Sequence, residues 1–149
     1  MRFSAAWTLA TLCGLGRAPL APGTAGSLAG AAVYWAAWRA GSWVPFVLFA
    51  LAVAGGIWSA GKVERALGRK DPPEVVVDEL AGQLFCLLGW EPTLTLLGAG
   101  FVVFRALDIV KPWRWLESLP GGWGVMADDL AAGAAGWVLL AIGRSAGFF

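Results

Sequence analysis

The sequence predicts an all-α integral membrane bundle, and three observations carry that prediction. Hydrophobic residues make up 58% of the 149 residues and charged ones only 14%, with a mean hydropathy of +0.68. A soluble domain is nearer ~45–50% apolar and about 25% charged. Residues 18–38 and 40–61 carry no charge at all, and about 20 apolar residues in a helix cross the ~30 Å hydrocarbon layer. Ten tryptophans and 21 glycines fit interfacial anchoring and close helix packing in lipid. The length suits one domain over residues 1–149.

The elements follow in order. Phe3–Cys13 is apolar but too short to span and reads as a short interfacial or packed helix. A signal peptide is the alternative, weakened by a single preceding Arg and no clear cleavage site. The two uncharged runs predict spanning helices near 24–38 and 43–61. Shorter runs at 80–90, 92–104 and 130–143 extend to helices near 75–90, 93–110 and 127–144, provided their polar flanks sit at the interface or in a protein-lined cavity. The expectation is four to five apolar helices plus the short N-terminal one. Gly26 and Gly30 in one helix, and Gly133 and Gly136 in another, offer small surfaces for backbone approach.

Charge placement gives an orientation. With the N-terminus cytoplasmic, Arg2, Arg17, Lys62, Arg65, Arg69, Lys70, Arg105, Lys111 and Arg114 lie inside, and only Arg39 and Arg144 outside. That matches the rule that basic loops stay cytoplasmic. Every acid except Glu91 falls on the same side. Acids barely influence insertion, so their clustering points to function.

Several chemistries are closed. The chain has no histidine, which removes an imidazole base, nucleophile or ligand. Cys13 and Cys86 form no ligand cluster and no disulfide framework. Eleven basic residues against ten acidic ones leave no excess to attract nucleic acid. Catalysis here is left to carboxylates, hydroxyls, Lys or Arg, and a metal.

Three segments hold the informative polarity. From Gly16 to Ser27 the chain is rich in Pro and Gly and leads into a helix after Pro22. Its backbone N–H groups, with the Thr24 and Ser27 hydroxyls, suit a phosphate; plain capping by Thr24 or Ser27 is the simpler alternative. From Asp71 to Gln83, Pro72 and Pro73 suit a helix start, which puts Asp78 and Glu79 inside an apolar helix. Uncompensated carboxylates are costly there, and two adjacent ones repel unless a proton or a cation intervenes. From Phe104 to Gly133, Arg105, Asp108 and Lys111 share a helix face at spacing three. Gly121-Gly122 makes a flexible turn, and Asp128 and Asp129 open the last helix. Five carboxylates brought together suit a hard divalent cation, with Arg17, Arg105 and Lys111 left to hold phosphate oxygens.

The stretches APGTAGSLAG, DPPEVVVDELAGQ, FRALDIVKPW and GGWGVMADDLAAG resemble, in order, the motifs of the phosphatidylglycerophosphatase A family. The resemblance implies an all-helical, magnesium-dependent lipid phosphatase of the bacterial inner membrane. That family converts phosphatidylglycerophosphate to phosphatidylglycerol, the last step of phosphatidylglycerol synthesis. It favours Asp78, Glu79, Asp108, Asp128 and Asp129 as acidic site residues, and Thr24, Ser27, Arg105 and Lys111 match its other polar positions. The resulting expectation has Asp78, Glu79, Asp128 and Asp129 at Mg2+. Asp78, Asp108, Arg105 and Lys111 act in catalysis, and Arg17, Thr24, Ser27, Arg105 and Lys111 hold substrate. Water and a carboxylate both remain open as nucleophile. The alternative function is a small cation transporter using the same acids as a pathway.

Overall fold

The computed structural model describes residues 4–148, and every regular element among them is helical. The helices are α1 (Ala5–Ala10), α2 (Pro22–Ala40), α3 (Val44–Leu67), α4 (Val77–Leu87), α5 (Leu94–Val110) and α6 (Gly122–Ser145), with short 3-10 turns at Leu15–Arg17 and Arg114–Ser118. Two of them, α3 and α6, are long and apolar enough to cross a membrane. The count of spanning candidates is therefore lower than the four to five expected. Phe3, at the start of the expected N-terminal helix, lies outside the described residues.

The largest departure is α4. The expected helix near 75–90 shrinks to 11 residues, about 16 Å at 1.5 Å per residue, half the ~30 Å hydrocarbon layer. Pro72 and Pro73 do not start it. They lead a turn in which Val75 N–H donates to the Pro72 carbonyl, and Val76 N–H donates to the Ala10 carbonyl of α1 at 2.9 Å. Helix α4 is instead the hub of the bundle: eight of its 11 residues are buried, and α2, α3, α5 and α6 all pack on it.

Close approach makes that arrangement possible. A Cβ on Gly82 would lie 2.6 Å from the Asp129 carbonyl oxygen of α6, and a Cβ on Gly133 would collide with the Gly82 carbonyl. Gly26 and Gly30 of α2 face α4 in the same way, against Val76 and Gln83. Two apolar clusters fill the remaining interior. One gathers Ala60, Val63, Val77, Val125 and Met126; the other gathers Tyr34, Leu84, Leu87, Phe104 and Leu140.

Two further boundaries shift. Helix α6 begins at Gly122 rather than near 127, so Asp128 and Asp129 stand about two turns in and do not cap it. Helix α3 runs on to Leu67, carrying Lys62 and Arg65 on its last turns.

Candidate active site

Four helices bring their polar ends to one cavity of about 270 Å³. The start of α4 contributes Asp78 and Glu79, the end of α5 Arg105, Asp108 and Lys111, α6 Asp129 about two turns in, and the start of α2 Pro22 and Gly23. Asp71 comes from the loop before α4.

The carboxylates are close. One oxygen from each of Asp78, Glu79 and Asp129 lies within 4.8 Å of the other two. Asp78 and Asp129 are buried. Asp78 Oδ1, Glu79 Oε2 and Asp129 Oδ2 have no hydrogen-bond partner among the described residues. Buried polar atoms are nearly always paired, so unpaired oxygens on three clustered acids call for a shared proton or a cation, and the trio is a group that could hold a metal ion. Oxygen-only donors of this kind suit Mg2+. Placement in the first turn of α4 also lets the helix dipole favour the Asp78 and Glu79 charges.

Cations stand beside this trio. Arg105 pairs with Asp108 one turn on, while its Nε is buried without a partner among the described residues. The Lys111 ammonium reaches Asp128 at 2.8 Å, Glu117 at 3.3 Å and Asp71 at 3.6 Å. Burial alone would lower the Lys111 ammonium, but the Asp128 hydrogen bond and the charges of Asp128, Asp71 and Asp129 hold it above its ordinary range. At Asp71 burial raises the carboxyl above the usual carboxylate range, only partly offset by Lys111.

The backbone around the cavity is unusual in one respect. Ala21, Asp71 and Lys111 all line it with positive φ (61°, 44° and 46°), and each immediately precedes a proline. A non-glycine residue in this region costs roughly 1–3 kcal/mol, and such strain gathers at functional sites. At α2 the result is a helix start with no side-chain cap, with Pro22, which has no N–H, and Gly23 at the cavity wall. A Cβ on Gly23 would collide with Glu79 Oε1 and stand 3.2 Å from Arg105 Nη1, so only glycine leaves that space open.

A model of the phosphatidylglycerophosphatase A family matches residues 8–144. The chain belongs to that family. It is 34% identical to phosphatidylglycerophosphatase A of Escherichia coli K12 over 146 residues, 89% of this chain and 80% of the relative. It is 37% identical to the protein of the same name from Haemophilus influenzae over 118 residues, 75% of this chain and 72% of the relative. A Bacteroides thetaiotaomicron protein is 39% identical over 148 residues, 88% of each chain, and carries the provisional name phosphatidylinositol-3-phosphatase. No solved structure matches the chain.

For a phosphatidylglycerophosphatase A relative, the placement of the expected residues is informative. Asp78, Glu79, Asp108, Asp129, Arg105 and Lys111 share the cavity. Asp128 does not join the acidic trio; it turns to Lys111 instead. Ser27 is buried outside the lining and donates to the Gly23 carbonyl at 2.9 Å. Thr24 and Arg17 also lie outside the lining, and the Arg17 guanidinium sits 5.4 Å from the centroid of the Trp7 ring. Neither Thr24 nor Ser27 caps α2, whose N-cap is Ala21. The sequence reading missed Asp71, which sits inside the DPPE motif and whose signal was its position before two prolines.

Proposed function

We propose that this chain is a Mg2+-dependent lipid phosphatase that converts phosphatidylglycerophosphate to phosphatidylglycerol and inorganic phosphate. The reaction takes place at the cytoplasmic face of a bacterial inner membrane, as the final step of phosphatidylglycerol synthesis. The observation that carries this reading is the trio Asp78, Glu79 and Asp129, each with one carboxylate oxygen within 4.8 Å of the other two, lining one cavity with Arg105 and Lys111. Family membership and the relatives named phosphatidylglycerophosphatase A support the substrate. The two apolar helices α3 and α6 support a membrane location.

In this mechanism Asp78, Glu79 and Asp129 would hold Mg2+. Bound there, the ion supplies charge neutralisation at the transferring phosphoryl group and polarises its oxygens. Arg105 offers the planar guanidinium that fits two phosphate oxygens, and Asp108 orients it through the ion pair. Lys111 supplies a point charge from the C-cap of the same helix, fixed by Asp128 and Asp71. The uncapped start of α2 lines the same cavity at Gly23, which brings the positive end of the helix dipole to the anion. Hydrolysis breaks the bond between phosphorus and the terminal glycerol oxygen; water adds hydroxyl to phosphorus and a proton to that oxygen. Sequestering the phosphomonoester among fixed charges lowers the barrier without a histidine.

The cation-transport reading needs polar groups through the depth of the bundle. The carboxylates instead gather at one end, and the family assignment favours the phosphatase. The deciding experiment measures phosphate release by purified protein from phosphatidylglycerophosphate and, separately, phosphatidylinositol-3-phosphate, each with and without Mg2+. Metal-dependent release from the first is expected. Release from the second alone overturns the substrate, and release from neither by folded protein overturns the enzyme and turns attention to cation flux.

A further inference from the structure

A second and larger cavity, of about 610 Å³, opens between α1 and the C-terminal half of α3. No residue lines both cavities. Its walls include Ala6, Trp7 and Val63, and Trp58, Lys62 and Arg65 stand around it; no carboxylate is in its lining. It opens at the same end of the bundle as the acidic cavity, since α3 ends at Leu67 and Asp71 follows four residues later.

The arrangement is chemically two-sided. Trp58, Lys62 and Arg65 recur at spacings of four and three and share one face of α3. The Lys62 ammonium lies 4.6 Å from the centroid of the Trp58 ring, a cation–π contact that holds it beside the cavity. Lys62 and Arg65 are exposed, and neither has an ion pair among the described residues. The volume falls within the roughly 300–1,000 Å³ of small-molecule sites. A small soluble anion would leave the apolar walls unused, and a neutral lipid would leave the two cations unused. What complements both is an amphiphile with a hydrocarbon chain and a negative head, and basic pockets beside membrane helices take such headgroups.

We propose that this cavity binds an anionic glycerophospholipid of the surrounding bilayer, with an acyl chain along Ala6, Trp7 and Val63 and the phosphodiester at Lys62 and Arg65. The inference rests on the membrane location proposed above but not on the phosphatase chemistry. The lipid held here is not the molecule hydrolysed, because the acidic trio lines the other cavity. Its effect is to fasten α1 to α3, and α1 in turn holds the loop before α4 through the Val76 to Ala10 hydrogen bond.

The test uses the full chain in non-ionic detergent, mixed with phosphatidylglycerol or phosphatidylcholine of matched acyl chains, with bound lipid counted by native mass spectrometry. One phosphatidylglycerol per chain is expected in preference to phosphatidylcholine. Removing both cations in K62A/R65A should weaken phosphatidylglycerol binding roughly thirtyfold, while Mg2+-dependent phosphate release from dispersed substrate stays within about twofold. A66W, which places a large ring in the cavity from an exposed position, should weaken binding without touching the charges. Equal retention of the two lipids, or binding indifferent to K62A/R65A, overturns the proposal. So does binding that appears only after residues 1–3 are removed, which would assign the cavity to that segment. A dimer that K62A/R65A dissociates would assign it to a second copy of the chain. Loss of lipid selectivity with phosphatase activity intact, or the reverse, separates failure of this inference from failure of the phosphatase reading.

Discussion

The two ends of this helical bundle are built by opposite rules. At the acidic end, Ala21, Asp71 and Lys111 take left-handed backbone conformations that a side chain disfavours, and buried oxygens of Asp78, Glu79 and Asp129 go unpaired. At the far end, the residues with positive φ are Gly41, Gly89 and Gly147, which adopt it at little cost. Polar groups there find partners. The Tyr34 hydroxyl donates to the Trp90 carbonyl at 2.7 Å and accepts from the Trp90 N–H at 3.1 Å, and the Trp137 ring N–H donates to the Leu88 carbonyl at 2.8 Å. The indole N–H of Trp90 is an exception, and so are both amide atoms of Gln83 farther along α4, all buried without a partner among the described residues. One end is arranged for stability; the other holds clustered charge and backbone strain. Such concentration of local cost is what a functional site looks like in a fold that is otherwise self-consistent.

The strongest way to break this contrast is to remove one carboxylate. Asp78→Asn should lower phosphatase activity by more than about 100-fold, beyond what losing an outer partner of a metal ligand costs. Without Mg2+ the variant should nonetheless melt higher than the parent, because it relieves repulsion among three clustered acids. Mg2+ should raise the melting temperature of the parent, since it binds only the folded trio, and leave that of the variant nearly unchanged. Phosphate release checks the first statement and thermal melts with and without metal the other two, and full activity in the variant would remove Asp78 from the site.

Geometry can be disturbed without touching a charge. Gly82→Ala places a methyl group 2.6 Å from the Asp129 carbonyl oxygen and against the Phe104 ring, so α4 must move away from α6. Overpacking of this kind costs about 1–3 kcal/mol, and displacement of reacting groups by about 1 Å costs on the order of 100-fold in rate. Activity should fall about 10–100-fold, with the metal-induced rise in melting temperature reduced. An unchanged rate would show that the trio tolerates a wider α4–α6 spacing.

How much of this was legible beforehand depends on what each residue's role rests on. Asp78 and Glu79 stood out because a carboxylate pair beside a valine run is costly wherever the helix begins. Their setting was misjudged, because VVV reads as helix until tertiary contacts intervene, here the hydrogen bond from Val76 to Ala10. Asp128 and Asp129 could not be separated by sequence. Neighbouring helical residues point about 100° apart, and only the register of α6 against Gly82 turns Asp129 to the trio and Asp128 to Lys111. Asp71 acquires its place from the end of α5, 40 residues away in the chain. Two uncharged runs correctly signalled an apolar helical protein, but the hub role of α4 depends on glycines whose partners lie on other helices.

At the well-satisfied end, Tyr34→Phe removes both hydrogen bonds that tie α2 to the Trp90 turn. The ring itself, fully buried among Leu84 and Leu87, keeps its packing. A net loss of about 1–2 kcal/mol is expected, or a fall of a few degrees in melting temperature for a chain of this size. Activity per folded molecule should match the parent, because no residue of the acidic cavity is touched. A loss of rate larger than the loss of folded protein would show that the two ends are coupled.

The smallest effect sharpens the contrast most, because it asks whether the strained backbone is an accident. Ala21→Gly gives the left-handed N-cap of α2 the residue that its φ of 61° prefers. Relief of the Cβ clash is worth roughly 1–2 kcal/mol, and the extra freedom of glycine in the unfolded chain takes back about 0.5–1 kcal/mol. The variant should therefore melt slightly higher than the parent. If the left-handed turn exists to aim the first N–H groups of α2 at phosphate, relaxing it loosens that aim. The KM for phosphatidylglycerophosphate should then rise a few-fold, with kcat less affected, since this wall binds the anion in ground and transition states alike. A gain in stability with no change in KM would show instead that alanine stands there without consequence for binding.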